Sequence, residues 1–418
     1  MKEVGGTSLL FGNRDFALLW TGQLVSQIGN NFNYIALAWI ILALTGSPSM
    51  MAGVMIAQLL PNALLGLVMG VFADHFDRWK LLVFCDVVRA LLVASMALLA
   101  LSASPQLWYI YSAVFAVSSL SLLFSAAEKS VIPEVMRGER LVEANAFQEM
   151  TSQIAAMIGP VLAGIVIASL PSPAYVLYFD AATFFVSALT ILFIRSIRRR
   201  DAKKSGLTAG SFCREAREGF KFIAGERVLA VITLTAMLVN FSIYPLFTVF
   251  PVYAKEVLHM GAEGFGSLLG AFGFGMLAGS LAAAAVASRL SRAVTLYGGM
   301  AVVGLSFTAM AFLRSPVPAF ACAALIGLVI APGNAVILSM AQKQTPEEMM
   351  GRFFALMLSL SACAAPLGVA AATALMERAG VVKTVLAMGI FSTAVALAGA
   401  YVYALFAKEG LRGHPVEQ

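Results

Sequence analysis

The sequence predicts an all-α integral membrane protein with twelve transmembrane helices arranged in two six-helix halves. Of its 418 residues, 60% are hydrophobic and only 12% are charged, and the mean hydropathy is +0.87. A water-soluble protein of this composition would expose large apolar patches, so the composition indicates lipid as the solvent. The apolar runs are long and do not alternate with polar residues. They therefore fit helices of roughly 20 residues crossing a membrane core of about 30 Å, and not the strands of a β-barrel.

Twelve apolar runs are the candidate membrane-spanning helices, each placed to within a few residues. They are 16–44, 51–73, 79–101, 107–127, 144–170, 174–195, 227–254, 265–287, 292–313, 317–341, 351–376 and 381–407. Proline, glycine and serine separate several of them, as in the short connection from Thr45 to Pro48, and these residues end helices.

Positive charge falls almost entirely on alternate connections. With both termini placed in the cytoplasm, all but four of the 28 Lys and Arg residues lie on the inner side, the exceptions being Lys255, Arg314, Arg378 and Lys383. Cytoplasmic loops retain Lys and Arg because these residues resist translocation. The pattern predicts both the number of spans and cytoplasmic termini. The net charge of +6 follows from this inward bias, so we expect no nucleic-acid partner.

One long polar segment divides the chain. It predicts an N-terminal six-helix bundle over 1–195, a cytoplasmic linker over 196–226 and a C-terminal six-helix bundle over 227–418. Within the linker, apolar residues between Phe212 and Ile223 share one helical face opposite charged ones. This pattern indicates either a helix lying at the inner membrane surface or a solvated linker.

The connection after the second span carries a characteristic set of residues, from Gly70 through Asp74 to Arg78 and Lys80. Gly70 allows helices to approach closely, and Asp74 suits the positive N-terminus of a neighbouring helix. Arg78 and Lys80 are placed to pair with acids on adjacent helices. This loop resembles the signature loop of the major facilitator superfamily, and the resemblance implies a cytoplasmic gate.

The third span adds a charged pair to the predicted gate. Asp86 and Arg89 are spaced i, i+3, so we expect them to neutralise each other.

Further stretches resemble the drug-efflux branch of that superfamily, which includes macrolide exporters and enterobactin-type siderophore exporters. They include Gly22–Gly29, Leu141–Asn145 and Gly159–Gly164. The resemblance implies a monomeric transporter in a bacterial inner membrane that exports hydrophobic or amphipathic small molecules by alternating access, in exchange for protons. A siderophore exporter and a lysophospholipid or other lipid flippase are alternatives with the same fold.

The resemblance also implies that spans one, four, seven and ten line a central cavity. Amide, hydroxyl and aromatic side chains on these spans are the candidate substrate contacts, because polar groups facing lipid are costly. Hydrogen bonding between helices is the alternative role. The candidates are Gln23, Gln27, Asn30, Asn31, Tyr34, Tyr111, Phe115, Asn240, Tyr244, Thr248 and Asn334.

Carboxylates within the spans are the candidates for proton coupling, since an ionised carboxylate is costly inside a membrane. Asp180 lies six residues into span six, Glu149 lies within span five, and Glu128 is placed at the end of span four. For each, a structural hydrogen bond is the alternative. Glu128 also fits the gate.

The sequence contains no metal-ligand cluster, nucleotide-binding loop or nucleophile motif. We therefore expect neither an enzyme nor a cofactor, and membrane lipid, a proton and a small-molecule substrate are the expected partners. Span eight carries glycines at Gly266, Gly270, Gly275 and Gly279, a small-xxx-small pattern that predicts close helix packing.

Overall fold

The computed structural model describes residues 13–73, 75–102, 106–136, 139–194, 220–223, 225–346 and 349–413, and within these ranges the regular structure is entirely helical. The helices are α1 (Arg14–Thr45), α2 (Pro48–Ala73), α3 (Arg78–Ala100), α4 (Leu107–Val135), α5 (Glu139–Ser169), α6 (Ala174–Leu192), α7 (Arg227–Ile243), α8 (Leu246–Glu256), α9 (Ala262–Arg289), α10 (Gly299–Phe312), α11 (Pro316–Gln344), α12 (Met350–Ala379) and α13 (Val381–Gly413).

Twelve helical stretches in the described part of the chain are long and apolar enough to cross a membrane, which confirms the predicted fold class. Helices α7 and α8 together form the seventh stretch. A short π-helix, Val294–Gly298, continues directly into α10 to form the ninth. Most of the predicted linker over 196–226 lies outside the described residues, including the start of its amphipathic stretch.

One sequence-based boundary was wrong. Helix α4 continues through Pro133 to Val135, so Glu128 lies about two turns inside the helix and not at its end. Span seven is interrupted at Pro245, between α7 and α8, whereas Pro251 lies within α8 without breaking it. A proline removes one backbone hydrogen bond, and a membrane helix tolerates that loss where neighbouring groups compensate.

The helices form two compact units. The first comprises Met1–Glu215 with Gly261–Gly270, and the second comprises Ala216–Met260 with Ala271–Gln418. In the first unit α6 packs against both α1 and α3, while α2 packs against α4. In the second unit α10 packs against α13, and α7 against α12.

Glycines bring α9 and α11 together in the second unit, as the small-residue pattern predicted. A Cβ atom on Gly275 would lie 2.8 Å from the carbonyl carbon of Ala324, and one on Gly279 would lie 2.9 Å from that of Leu328. Gly327 on α11 is equally close to the backbone of Phe272 and Met276. Because the obstructing atoms belong to the backbone, they cannot rotate away, so a larger residue at any of these positions requires the two helices to move apart.

We expect Gly279→Ala to lower the free energy of unfolding by about 1–3 kcal/mol, since the added methyl group must separate α9 from α11. Gly298→Ala is the matched control. Its Cβ would meet only Val294 Cγ1 at 3.7 Å, an ordinary contact, so the replacement should be neutral or slightly stabilising. Thermal unfolding of both variants in detergent measures the difference, and equal stabilities would contradict the packing argument.

Candidate functional site

Four helices of the first unit, α1, α2, α3 and α4, line a partly open cavity of about 340 Å³. Its polar lining consists of amides and hydroxyls, and the remaining lining is aliphatic. The lining residues are Asn30, Asn33, Leu37, Gln58, Asn62, Met96, Val114, Val117, Ser118, Ser121 and Leu122. Because none of these side chains carries a charge, the cavity offers directional hydrogen bonds without attracting an ion of either sign.

The helical repeat places the cavity amides on one face of each helix. Asn30, Asn33 and Leu37 are spaced i, i+3 and i+7 on α1, and Gln58 and Asn62 are spaced i, i+4 on α2. Each set therefore occupies one helical face. An amide that faced lipid instead would lose its hydrogen bonds at a cost of several kcal/mol, so the cavity provides these groups with a polar surrounding.

Of the predicted contacts on span one, Asn30 lines the cavity. Gln23 is buried, while Gln27 and Tyr34 are half-buried. Asn31 donates a hydrogen bond from Nδ2 to the Gln27 carbonyl at 2.8 Å. Its Cβ also lies 2.8 Å from where Gly159 of α5 would carry a Cβ, so Asn31 fills the space that this glycine leaves. The cavity face of α1 is thus rotated from the predicted face, toward Asn33 and Leu37.

Span four contributes to the cavity through Ser118 and Ser121. The predicted Tyr111 is half-buried, and its hydroxyl donates to the Met50 carbonyl at 3.0 Å, which joins α4 to α2. Phe115 is half-buried on the same helix.

The predicted contacts on spans seven and ten all lie in the second unit. Asn240 donates to the Ser361 carbonyl at 3.0 Å, and the Tyr244 ring lies 5.9 Å from the ring of Phe247. Thr248 is fully buried and donates to the Pro245 carbonyl at 2.9 Å, within the turn that follows the helix break. Asn334 on α11 is exposed.

Asp180 of α6 is completely buried and is connected to the cavity. Asn33, a cavity residue, donates from Nδ2 to Asp180 Oδ2 at 2.5 Å, and the Thr183 hydroxyl lies 3.3 Å from Oδ1. Gly29 on α1 makes this approach possible, because any Cβ there would overlap both Asp180 Oδ1 and the Thr183 hydroxyl. The carboxyl group is therefore one residue removed from the cavity.

The other two candidate carboxylates have different surroundings. Glu128 is buried in α4 and accepts a hydrogen bond from Gln148 Nε2 of α5 at 2.6 Å. Glu149, the next residue on α5, has an exposed side chain. Asp180 is hydrogen-bonded to a residue that lines the cavity, whereas the described partner of Glu128, Gln148, does not line it.

Asp86 and Arg89 form the ion pair predicted from their spacing, and both side chains are almost completely buried. The Arg89 guanidinium lies between two aromatic rings, 4.5 Å from the centroid of Phe124 and 4.4 Å from that of Phe184. The guanidinium also donates to the Ser121 hydroxyl at 3.3 Å, and Ser121 lines the cavity. One hydrogen bond therefore links this ion pair to the cavity lining.

The predicted gate is partly within the described residues. Arg78, at the start of α3, forms an ion pair with Glu134 near the end of α4, which confirms that it pairs with an acid on an adjacent helix. Lys80 is exposed, and Gly70 lies within α2. Asp74 lies outside the described residues.

Sequence reasoning missed Asn33, Gln58 and Asn62. The resemblance directed attention to spans one, four, seven and ten, whereas Gln58 and Asn62 belong to span two. Two amides spaced i, i+4 within an apolar helix are themselves a signal, because such groups need a polar partner. No group of three or more potential metal ligands occurs in the described part of the chain.

The described part of the chain has twelve helical stretches that can cross a membrane, and four helices of its first unit line a neutral polar cavity, as is typical of a multi-pass membrane transporter. A family model described as "Transmembrane secretion effector" matches residues 9–411. The chain belongs to this family, within the drug-efflux branch of the major facilitator superfamily, and it is an efflux-type transporter rather than an enzyme.

Relatives support this assignment over almost the whole chain. Macrolide efflux protein A of Streptococcus pyogenes is 22% identical over 386 residues, covering 91% of this chain and 94% of the relative. Multidrug efflux pump Tap of Mycobacterium tuberculosis is 28% identical over 389 residues, covering 89% of this chain and 90% of the relative.

Among solved structures, the nucleoside transporter NupG superposes with a TM-score of 0.79 at 12% identity, covering 92% of this chain and 98% of that one. A bacterial homologue of the iron transporter ferroportin, in an inward-facing state, gives 0.71 at 15% identity, with coverage of 93% and 98%. At these identities the likeness establishes the fold alone.

Proposed function

We propose that the protein is a secondary active exporter of amphipathic small molecules, driven by protons that enter in exchange. One observation carries the proposal: a neutral amide-lined cavity is hydrogen-bonded, through Asn33, to the completely buried carboxyl group of Asp180. A group that binds a proton thus lies next to a group that can bind a substrate. Exchange requires that the proton and the substrate compete for binding to the protein.

The cavity favours a particular class of substrate. Its aliphatic residues favour apolar surface, and its amides and hydroxyls orient a few polar groups, as in most small-molecule sites. A sugar phosphate or an inorganic ion would need a charged partner that the lining lacks. The relatives named for macrolide and multidrug efflux agree with an amphipathic substrate, and we extend that class to this chain.

Transport in this proposal follows alternating access, with the cytoplasmic gate near Arg78 and Glu134 opening and closing. Their ion pair is partly exposed, with side-chain exposures of 34% and 12%, so it contributes only a small energy and can break and re-form during a cycle. We propose a bacterial inner membrane, in line with the bacterial relatives, and cytoplasmic termini, the orientation that the Lys and Arg distribution favours.

Efflux of the amphipathic dye ethidium from cells that express the protein tests the proposal. We expect efflux to exceed that of matched cells without the protein, and to fall to the same level when a protonophore collapses the proton gradient. Efflux that persists without the gradient would contradict proton exchange. If the inserted protein moves no dye at all, the broad amphipathic class fails, and lipid or siderophore cargo should then be assayed.

A further inference from the structure

We propose that Asn33 is a donor–acceptor switch, which presents a hydrogen-bond acceptor to the cavity when Asp180 is ionised and a donor when Asp180 is protonated. The inference rests on the proposed function, since it takes Asp180 as the coupling carboxyl. It adds a specificity-determining residue and a substrate class: ligands that carry an N–H or O–H donor.

The switch follows from the chemistry of the two side chains. An ionised carboxylate only accepts hydrogen bonds, so Asn33 must direct Nδ2 toward Asp180, and the amide lies in that orientation. No described residue donates to Asn33 Oδ1, which leaves this oxygen for the cavity that Asn33 lines.

Protonation at Oδ2, the oxygen that faces Asn33, reverses the requirement. When a proton adds to Asp180 Oδ2, that atom becomes an O–H donor, and Nδ2 of an amide cannot accept from it. Rotation of the Asn33 amide by a half turn brings Oδ1 to the new O–H and releases Nδ2 toward the cavity. Release of the proton restores the first arrangement, so one proton interconverts two cavities of opposite hydrogen-bond polarity.

The surroundings hold Asp180 in place while Asn33 turns. Thr183 donates to the Asp180 backbone carbonyl at 2.7 Å, and its hydroxyl remains close to Oδ1. Gly29 leaves room for both on the α1 side. Of the charged groups on the helices packed against α6, Arg89 of α3 acts electrostatically on Asp180, and Asp86 offsets its charge, while α1 contributes the neutral Asn33.

The switch gives transport a direction, because the substrate binds while Asp180 is ionised and is released once Asp180 is protonated. A ligand N–H or O–H bonds to Asn33 Oδ1 while Asp180 is ionised, as expected for a site that has released its proton to the cytoplasm. After a proton enters from outside, the ligand donor meets the Nδ2 donor, and the hydrogen bond is lost. The proton therefore expels the substrate without occupying the same space.

Fluorescence polarisation with the purified full-length protein tests the switch, using two matched dyes. N,N′-diethylrhodamine ethyl ester carries an N–H on each amino group, and tetraethylrhodamine ethyl ester carries none. Protonation of Asp180 should weaken binding of the N–H dye about ten-fold more than binding of the alkylated dye, the effect of one lost hydrogen bond. Equal weakening of both dyes would overturn the inference.

Two variants separate the switch from a structural role. Asn33→Leu should reduce the pH dependence of N–H dye binding to that of the alkylated dye, whereas Asn30→Leu, three residues earlier on the same cavity face, should weaken binding and keep the difference between the dyes. Asn33→Ala serves the same purpose if the leucine variant does not fold. If the Asn33 variants retain the difference in pH dependence between the two dyes, the inference is overturned.

Infrared difference spectroscopy supplies a readout independent of any ligand. The carboxylic C=O band that is absent from Asp180→Asn identifies the protonated Asp180. We expect Asn33→Leu to shift this band and Asn30→Leu to leave it unchanged; no shift in Asn33→Leu would overturn the switch. If neither dye binds the wild-type protein, the proposed substrate class fails, and the infrared comparison decides the inference.

Discussion

Arg89→Met is expected to lower the free energy of unfolding by roughly 3–5 kcal/mol, the largest stability loss of any replacement considered. The substitution leaves Asp86 completely buried without the cation that neutralises it. It also removes the guanidinium from between Phe124 and Phe184, where Met keeps part of the packing but none of the attraction of a cation for the ring faces. An uncompensated charge within a helix bundle has no water to stabilise it.

Arg78→Met provides the matched control, because it removes the same side chain from a partly exposed ion pair. A pair of that kind contributes only about 0–1 kcal/mol, so thermal unfolding in detergent should distinguish the two variants clearly. The double replacement Asp86→Leu with Arg89→Met should recover most of the loss, since a well-packed apolar pair can replace a buried ion pair. Equal stabilities of Arg89→Met and Arg78→Met would contradict this account.

Hydropathy was sufficient to predict the fold because lipid imposes a simple constraint on the backbone. Each membrane-crossing segment must satisfy its own hydrogen bonds, so length and apolar composition identify the helices. The boundary error occurred where that constraint weakens. Helix α4 extends beyond its apolar core to Val135, since the hydropathy of a segment ends before its helical hydrogen bonds do.

The site was less predictable because a polar residue within a span shows only that a partner exists. Asn30 and Asn31 are adjacent amides, yet Asn30 lines the cavity and Asn31 packs against Gly159. One residue rotates a side chain by nearly a third of a turn, and helix packing decides which side faces the cavity. The burial of Asp180 was predictable from its depth in the span. Its partner Asn33 was not, because 147 residues separate the two in sequence.

Asp180→Asn is expected to abolish uphill export while leaving ligand binding intact. The asparagine is nearly isosteric and its oxygen can still accept from Asn33 Nδ2, so the packing around Gly29 and Thr183 should persist. It cannot exchange a proton. For one proton exchanged per substrate, each pH unit of gradient supports a substrate gradient of at most about ten-fold, and the variant should support none.

Reconstituted vesicles with an imposed pH gradient measure this directly, with ethidium accumulation as the readout. Glu149→Gln is the matched control, since it neutralises a carboxylate whose side chain is exposed on α5, and it should retain gradient-driven accumulation. Glu128→Gln tests the other buried carboxylate, which bonds to Gln148 and not to a cavity residue. If Asp180→Asn still concentrates the dye and Glu128→Gln does not, Glu128 with its partner Gln148 would couple protons to transport in place of Asp180. The cavity would then respond to protonation through Ser121, which is hydrogen-bonded to Arg89 of the buried Asp86–Arg89 ion pair.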